Sequence, residues 1–140
     1  MIVVDASALL ELLLLTPTGL DVAARVFAAK ETLHAPELLD LEVAQVLRRY
    51  ERDGELAPER AGQALEDLVD LRIDRHPHLP LLARVWDLRD NNLTAYDAAY
   101  VALAELLDSP LLTCDARLSR APHLAKVEVV RRRSAPPTTA

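Results

Sequence analysis

The chain has 140 residues, 51% of them apolar and 27% charged, and a formal net charge of −6. That length fits one domain with a core of its own, and the acidic balance speaks against a protein that coats nucleic acid by bulk electrostatics. A single cysteine, Cys114, excludes an intrachain disulfide and a cysteine-rich zinc site.

Short β-like runs alternate with longer helical ones. Ile2–Val4 predicts a short buried strand, and Ala6–Leu15 a helix that is apolar on nearly every side. Thr16-Pro17-Thr18-Gly19 reads as a break, with helix resuming over Leu20–Lys30. Leu33–Ala35 predicts a second strand. Pro36 stands as the first residue of a helix that reaches about Asp53 and stops at Gly54. Pro58–Asp70 predicts a further helix, Leu71–Arg75 a strand, Pro80–Asp90 a helix and Thr94–Leu107 a largely buried one. Leu111–Thr113 and Val127–Val130 complete the strands. From Arg131 to Ala140 no apolar pattern continues, so a frayed end is expected, with the domain over residues 1–132 and the tail over 133–140. The N-terminus has no basic leader, and the apolar run Ala8–Leu15, interrupted by Glu11, is too short to cross a bilayer. A cytoplasmic location away from the membrane is expected. Strands alternating with helices predict an α/β fold whose parallel sheet is covered on both faces. Sites in such sheets form beyond the carboxyl ends of the strands, where strand order reverses.

Four acidic residues stand where hydrophobic elements end or meet. Asp5 follows Met1-Ile2-Val3-Val4, Glu42 lies in LLDLEVAQVL, Asp97 lies in LTAYDAAYVALA, and Asp115 follows LLTC. Three of them can be helix caps. Asp5 can cap the helix starting at Ala6, Asp97 has capping-box spacing from Thr94, and Asp115 can cap the turn Ala116–Arg120. Glu42 needs no cap. It borders the stripe Leu39, Val43, Val46 and Tyr50, and Arg48 and Arg49 are wrongly spaced to pair with it on one face; its other reading is a solvated helix flank. Carboxylates are costly to bury unless paired, hydrogen-bonded or metal-bound. Four that converge call for a cation, and a hard divalent ion with oxygen ligands suits them. Ser7 and Thr113, each two residues from an aspartate, either orient a carboxylate or water or make local turn bonds. His34, His76, His78 and His123 lie scattered beside prolines or strand ends and read as structural or surface residues, and Cys114 as a small buried one.

The segments MIVVDASALLELL, PELLDLEVAQVLRR, NNLTAYDAAYVALAELL and PLLTCDARLSRA, in this order and at this length, resemble the PIN-domain family, in particular its VapC-type toxins of bacterial toxin–antitoxin pairs. The likeness runs from Met1 to about Arg132. It implies a three-layer α/β/α sandwich around a parallel sheet of about five strands. It also implies an endoribonuclease that depends on Mg²⁺ or Mn²⁺, with an RNA substrate and an antitoxin partner. The family's acidic set falls on Asp5, Glu42, Asp97 and Asp115, and its supporting polar positions fall on Ser7 and Thr113. Some relatives carry a further acid shortly after the last one; Arg117 occupies that stretch here.

Mg²⁺ takes only one or two direct carboxylates. Asp5 with Asp97 or Asp115 is therefore expected to touch the metal directly, and Glu42 and the remaining aspartate to act through water. No histidine adjoins these segments, which disfavours a histidine-dependent ribonuclease mechanism. An aspartyl-phosphate phosphatase or phosphotransferase using Asp5 is the alternative enzyme. It would want an acid where Ser7 stands and a well-placed lysine, and the chain has only Lys30 and Lys126. A catalytically silent PIN-like partner protein is the alternative binder. Leu9, Leu10 and Leu12 to Leu15, followed by Leu20, Val22, Val26 and Phe27, offer more apolar surface than one small domain covers. This predicts a homodimer, and an antitoxin segment packed on these helices that extends an arginine towards the carboxylates.

Overall fold

The computed structural model describes residues 1–28 and 30–133. Five strands, β1 (Ile2–Val4), β2 (Leu33–Pro36), β3 (Ile73–His76), β4 (Leu111–Thr113) and β5 (Val127–Val129), form one sheet in the order β3-β2-β1-β4-β5. All neighbours run parallel, with Val3 opposite His34 on one side and Leu111 on the other. Both faces are covered, and so the inner strands read as continuous apolar runs: every residue of β1 and β4 is buried.

Helices α1 (Ala6–Leu13), α2 (Pro17–Val26), α3 (Leu38–Arg52) and α4 (Pro58–Asp70) precede β3, and α5 (Leu82–Asp87), α6 (Ala95–Leu107) and α7 (Arg117–Arg120) follow it. Right-handed crossovers place the first four over one face and the last three over the other. Accordingly, α1 packs on α2, α3 and α4, while α6 packs on α5 and on β1, β2 and β4. The expected α/β/α sandwich is thus present. Strand order reverses between β1 and β4, and the crevice beyond their carboxyl ends is where a site is expected.

Several boundaries differ from the sequence expectation. Thr16-Pro17-Thr18-Gly19 is a helix start and not a gap: Leu15 leaves the helix at φ 55°, the Thr16 hydroxyl accepts the Gly19 N–H at 2.9 Å, and Pro17 occupies the first turn. α2 ends at Val26, not Lys30. Pro36 ends β2 opposite His76 and does not open a helix. α3 begins at Leu38, whose N–H donates to His78 Nε2 at 3.0 Å. Leu71 belongs to the end of α4, donating its N–H to Asp67, so β3 starts at Ile73. The helix expected over Pro80–Asp90 is a 3₁₀ turn, Leu79–Leu81, leading into the shorter α5.

The leucine-rich start is largely core. Leu9, Leu10, Leu13, Val22 and Val26 are buried, Leu12 and Leu14 are partly buried, and of the residues assigned above to a partner surface only Leu15, Leu20 and Phe27 are exposed. The expectation of a broad leucine face on α1 is corrected: α2, α3, α4 and the sheet cover it within one chain. Among the described residues no single helix is long and apolar enough to cross a membrane; α1 and α2 meet at 110°. Of the tail, residues 134–140 lie outside the described residues.

Candidate active site

Asp5 follows the last residue of β1, and its N–H still donates to Leu112 of β4 at 3.1 Å. Its side chain therefore stands at the reversal point, 7% exposed. Oδ1 accepts the Ala8 N–H at 3.0 Å and the Ser7 hydroxyl at 2.7 Å; Oδ2 accepts the Thr113 hydroxyl at 2.5 Å. Each hydroxyl is itself oriented by the backbone. Ser7 Oγ accepts the Cys114 N–H, and Thr113 Oγ1 accepts the Asp115 N–H, both at 2.9 Å. With a lone pair so engaged, each hydroxyl has its proton free for Asp5. Burial pushes the Asp5 carboxyl above its ordinary pKa; the Thr113, Ser7 and Ala8 donors offset this in part, and the Asp115 charge adds to it.

Glu42 projects from α3, in one helical layer, towards Tyr100 on α6, in the other. The Tyr100 hydroxyl donates to Glu42 Oε1 at 2.6 Å. Burial raises the Glu42 pKa, with repulsion from Asp5 and Asp97 adding to it and the Tyr100 bond opposing it. Tyr100 is 3% exposed and is held protonated by burial and by the Glu42 charge. Sequence reasoning missed Tyr100. The signal was its place three residues after Asp97, on the same face of α6.

Asp97 closes a capping box at the start of α6: its N–H donates to Thr94 Oγ1 at 3.0 Å, and its Oδ2 accepts the Thr94 N–H at 3.3 Å. Asp115, just beyond β4, faces Arg117. The guanidinium meets it through Nε at 3.0 and 3.1 Å and through Nη2 at 2.5 Å, and the Arg117 N–H donates to Oδ1 at 3.0 Å. These bonds hold the Asp115 carboxyl below its ordinary pKa. Arg117 Nη2 is also 3.7 Å from Asp97 Oδ2. The four carboxylates picked out in the sequence thus lie near enough beyond the carboxyl ends of β1 and β4 to act on one another, Asp115 on Asp5 and both Asp5 and Asp97 on Glu42, and both hydroxyls bear on Asp5. Cys114 is half-buried, its thiol pushed up to about 11 by burial.

The donor set is all oxygen, the chemistry of Mg²⁺ or Mn²⁺ sites. Among the described residues no three acidic, histidine or cysteine side chains are gathered tightly enough to share one ion directly. An ion bound here would take one or two direct carboxylates and fill its other positions with water. Burial is the main cause of the raised pKa at Asp5 and Glu42, with neighbouring carboxylates adding to it, and a cation beside them would favour their charged forms. A groove of about 710 Å³ opens beside the site, running from Ser7 and Glu42 past Leu41 and Tyr96 to Arg48 and Arg132. The histidines lie elsewhere and hold structure: His34 Nδ1 meets His76 Nε2 at 2.9 Å between β2 and β3, and His123 bonds its own loop.

A doubly covered parallel sheet with carboxylates converging at its reversal point defines a class of acidic-site α/β proteins. The PIN domain family model matches residues 2–124. The VapC ribonuclease Mb0985 of Mycobacterium bovis is 46% identical over 85% of this chain and 89% of its own length. Ribonuclease VapC1 of Mycobacterium tuberculosis is 45% identical over 92% and 97%. The crystal structure of PAE2754 from Pyrobaculum aerophilum superposes with a TM-score of 0.68 at 25% identity, covering 90% of this chain and 82% of that one. The chain belongs to the PIN-domain family, among its VapC ribonucleases.

Proposed function

We propose that the chain is the toxin of a toxin–antitoxin pair and cleaves RNA internally, in the cytoplasm, with Mg²⁺ or Mn²⁺ held by Asp5, Asp97, Asp115 and Glu42. When bound, the ion polarises a phosphate oxygen and lowers the pKa of the attacking water. The chain's own residues supply position and proton handling. Asp5 is kept from rotating by the hydroxyls of Ser7 and Thr113, so it presents a fixed ligand. Glu42, anchored at Oε1 by Tyr100 and more readily protonated than an ordinary glutamate, is suited to take a proton from water. The single observation carrying this reading is the convergence of all four carboxylates on the crevice between β1 and β4, with mutual repulsion felt at Asp5 and Glu42.

The phosphotransferase alternative fares worse against the same geometry. That chemistry wants an acid two residues after the nucleophile and a lysine beside it; Ser7 stands at that position and donates to Asp5, and among the described residues no lysine pairs with Asp5. Mapping cleavage ends on total RNA tests the proposal. Internal cuts are expected with Mn²⁺, none with chelator, and none with Asp5→Asn; cutting that persists in chelator would sink the metal-dependent reading.

An antitoxin and a second copy of the chain belong to the same proposal. Leu15, Leu20 and Phe27, exposed at 73, 65 and 62%, are apolar surface that support it. An antitoxin arginine reaching the carboxylates would be drawn by their excess negative charge.

A further inference from the structure

An exposed aromatic ring lines the groove beside the carboxylates. Tyr96 precedes Asp97 in the first turn of α6, is 63% exposed, and shares the groove with Ser7 and Glu42. Among the described residues no ring or guanidinium lies over it, whereas the Tyr50 ring in the same groove is covered by Arg49 at 5.6 Å. Away from the carboxylates the lining turns basic. Arg49 follows Glu42 by two turns of α3, about 10 Å along the axis, and Arg48 stands next to it; both are exposed. Arg52 continues the basic surface around an adjoining hollow of about 330 Å³. Among the described residues no carboxylate lies within 4.0 Å of Arg48 or Arg49. In a chain of net charge −6 this is a local reversal of sign. Unpaired arginines beside an open aromatic face match a phosphodiester strand with unstacked bases, guanidinium to phosphate and ring to base. An apolar protein segment would leave both arginines without a counter-charge.

We propose that this groove holds the unpaired RNA strand adjoining the cleaved bond, with a base stacked on Tyr96 and backbone phosphates on Arg48 and Arg49. The inference rests on the ribonuclease reading above and adds to it that the cleaved stretch is single-stranded. In a duplex the bases stack on one another and offer no face to Tyr96. A strand whose reacting phosphate lies at the carboxylates passes the two arginines as it runs along α3. Stacking tolerates every base, because each has a π face, so Tyr96 selects for unpaired structure and not for sequence. Tyr96 and the two arginines are binding residues and take no part in proton transfer.

Fluorescence anisotropy of a labelled single-stranded oligoadenylate RNA tests this by binding alone. The full chain carries Asp5→Asn and is kept in chelator, so that the strand stays whole. The single strand is expected to bind, and its duplex with oligouridylate to bind about 10-fold more weakly or worse. Tyr96→Ala is expected to weaken binding of the strand about 10–100-fold, while Tyr96→Phe, which keeps the ring, holds its affinity. Arg48→Gln and Arg49→Gln are each expected to flatten the log–log dependence of affinity on KCl by about 0.7. The three side chains are exposed, so all these variants are expected to melt with the Asp5→Asn chain. Unchanged affinity in Tyr96→Ala, unchanged salt slopes, equal binding of the duplex, or no binding of the strand would each overturn the inference, and cleavage of total RNA by the parent in Mn²⁺ would still uphold the ribonuclease reading. Absence of that cleavage would overturn the ribonuclease reading, and with it the claim that the bound strand is a substrate.

Discussion

Asp5 sits at a conflict between burial and charge, and the conflict has a pH signature. Burial raises its carboxyl pKa, and that of Glu42. Between the ordinary and the raised values the folded chain binds more protons than the unfolded one, so stability falls as pH rises through that window. Buried His34 works in the other direction. Its pKa is lowered, so its contribution is complete above about 6.5 and is lost as pH falls. Asp5→Asn keeps the Ala8 bond and removes the charge. In chelator at pH 7.5 it is expected to melt about 2–5 °C above the parent, with the gap closing as pH falls through the raised pKa towards the ordinary carboxylate range. A gap that stays constant with pH would mean that the Asp5 charge is already compensated. In cleavage assays Asp5→Asn, Asp97→Ala and Asp115→Ala are expected to remove nearly all activity, and Glu42→Gln to lower it by about 10–100-fold. Tyr100→Phe strips Glu42 of its anchor. It is expected to cost about 1–3 kcal/mol in denaturant melts and to lower kcat with little change in KM.

At the scale of elements, the corner between α1 and α2 is the least forgiving. A Cβ at Gly19 would stand 2.1 Å from the Glu11 carbonyl oxygen, a backbone atom that cannot step aside. Gly19→Ala is expected to cost about 3 kcal/mol in chemical denaturation; an unchanged midpoint would show that the corner opens freely. This corner also shows what was legible in the sequence and what was not. The apolar runs at Ile2–Val4 and Leu111–Thr113 and the capping box at Thr94 carry local signals strong enough to fix their elements. Thr16-Pro17 carries an equally local signal, but one shared by turns and helix starts, so the sequence alone does not separate a break from the start of α2. Pro36 looks like a helix start because nothing near it in sequence announces the pairing with His76, 40 positions on. The site followed the same divide. Asp5, Asp97 and Asp115 lie beside element ends and could be picked out. The Glu42–Tyr100 bond spans 58 positions and the Asp5–Thr113 bond 108, separations at which no spacing rule operates.

For the whole molecule, the sheet and its two helical layers leave a site with more negative than positive charge, and bound cations are expected to stabilise the fold. Mn²⁺ at a hundredfold excess over its dissociation constant contributes about 2.7 kcal/mol, or about 5–10 °C in melting temperature for a domain of this size. Calorimetric scans with and without the ion check this, and Asp5→Asn should blunt the rise. The exposed Leu15, Leu20 and Phe27 carry a separate expectation. Light scattering should report a dimer for the parent and a smaller species for Leu20→Asp with Phe27→Asp. A monomer at high concentration in the parent would remove the homodimer from the proposal.

Three of the four carboxylates also hold backbone in place: Asp5 bonds Ala8, Asp97 bonds Thr94 and Asp115 bonds Arg117. Folding and chemistry therefore select for the same side chains at those positions. A lineage that lost its nuclease would keep them, or exchange them for asparagine, because the chain must still fold. Position 42 has no cap to maintain, and its carboxylate is a burden once no reaction uses it. In related genomes the first trace of a toxin turned silent is expected there, as a glutamate replaced by an uncharged residue while the three aspartates persist.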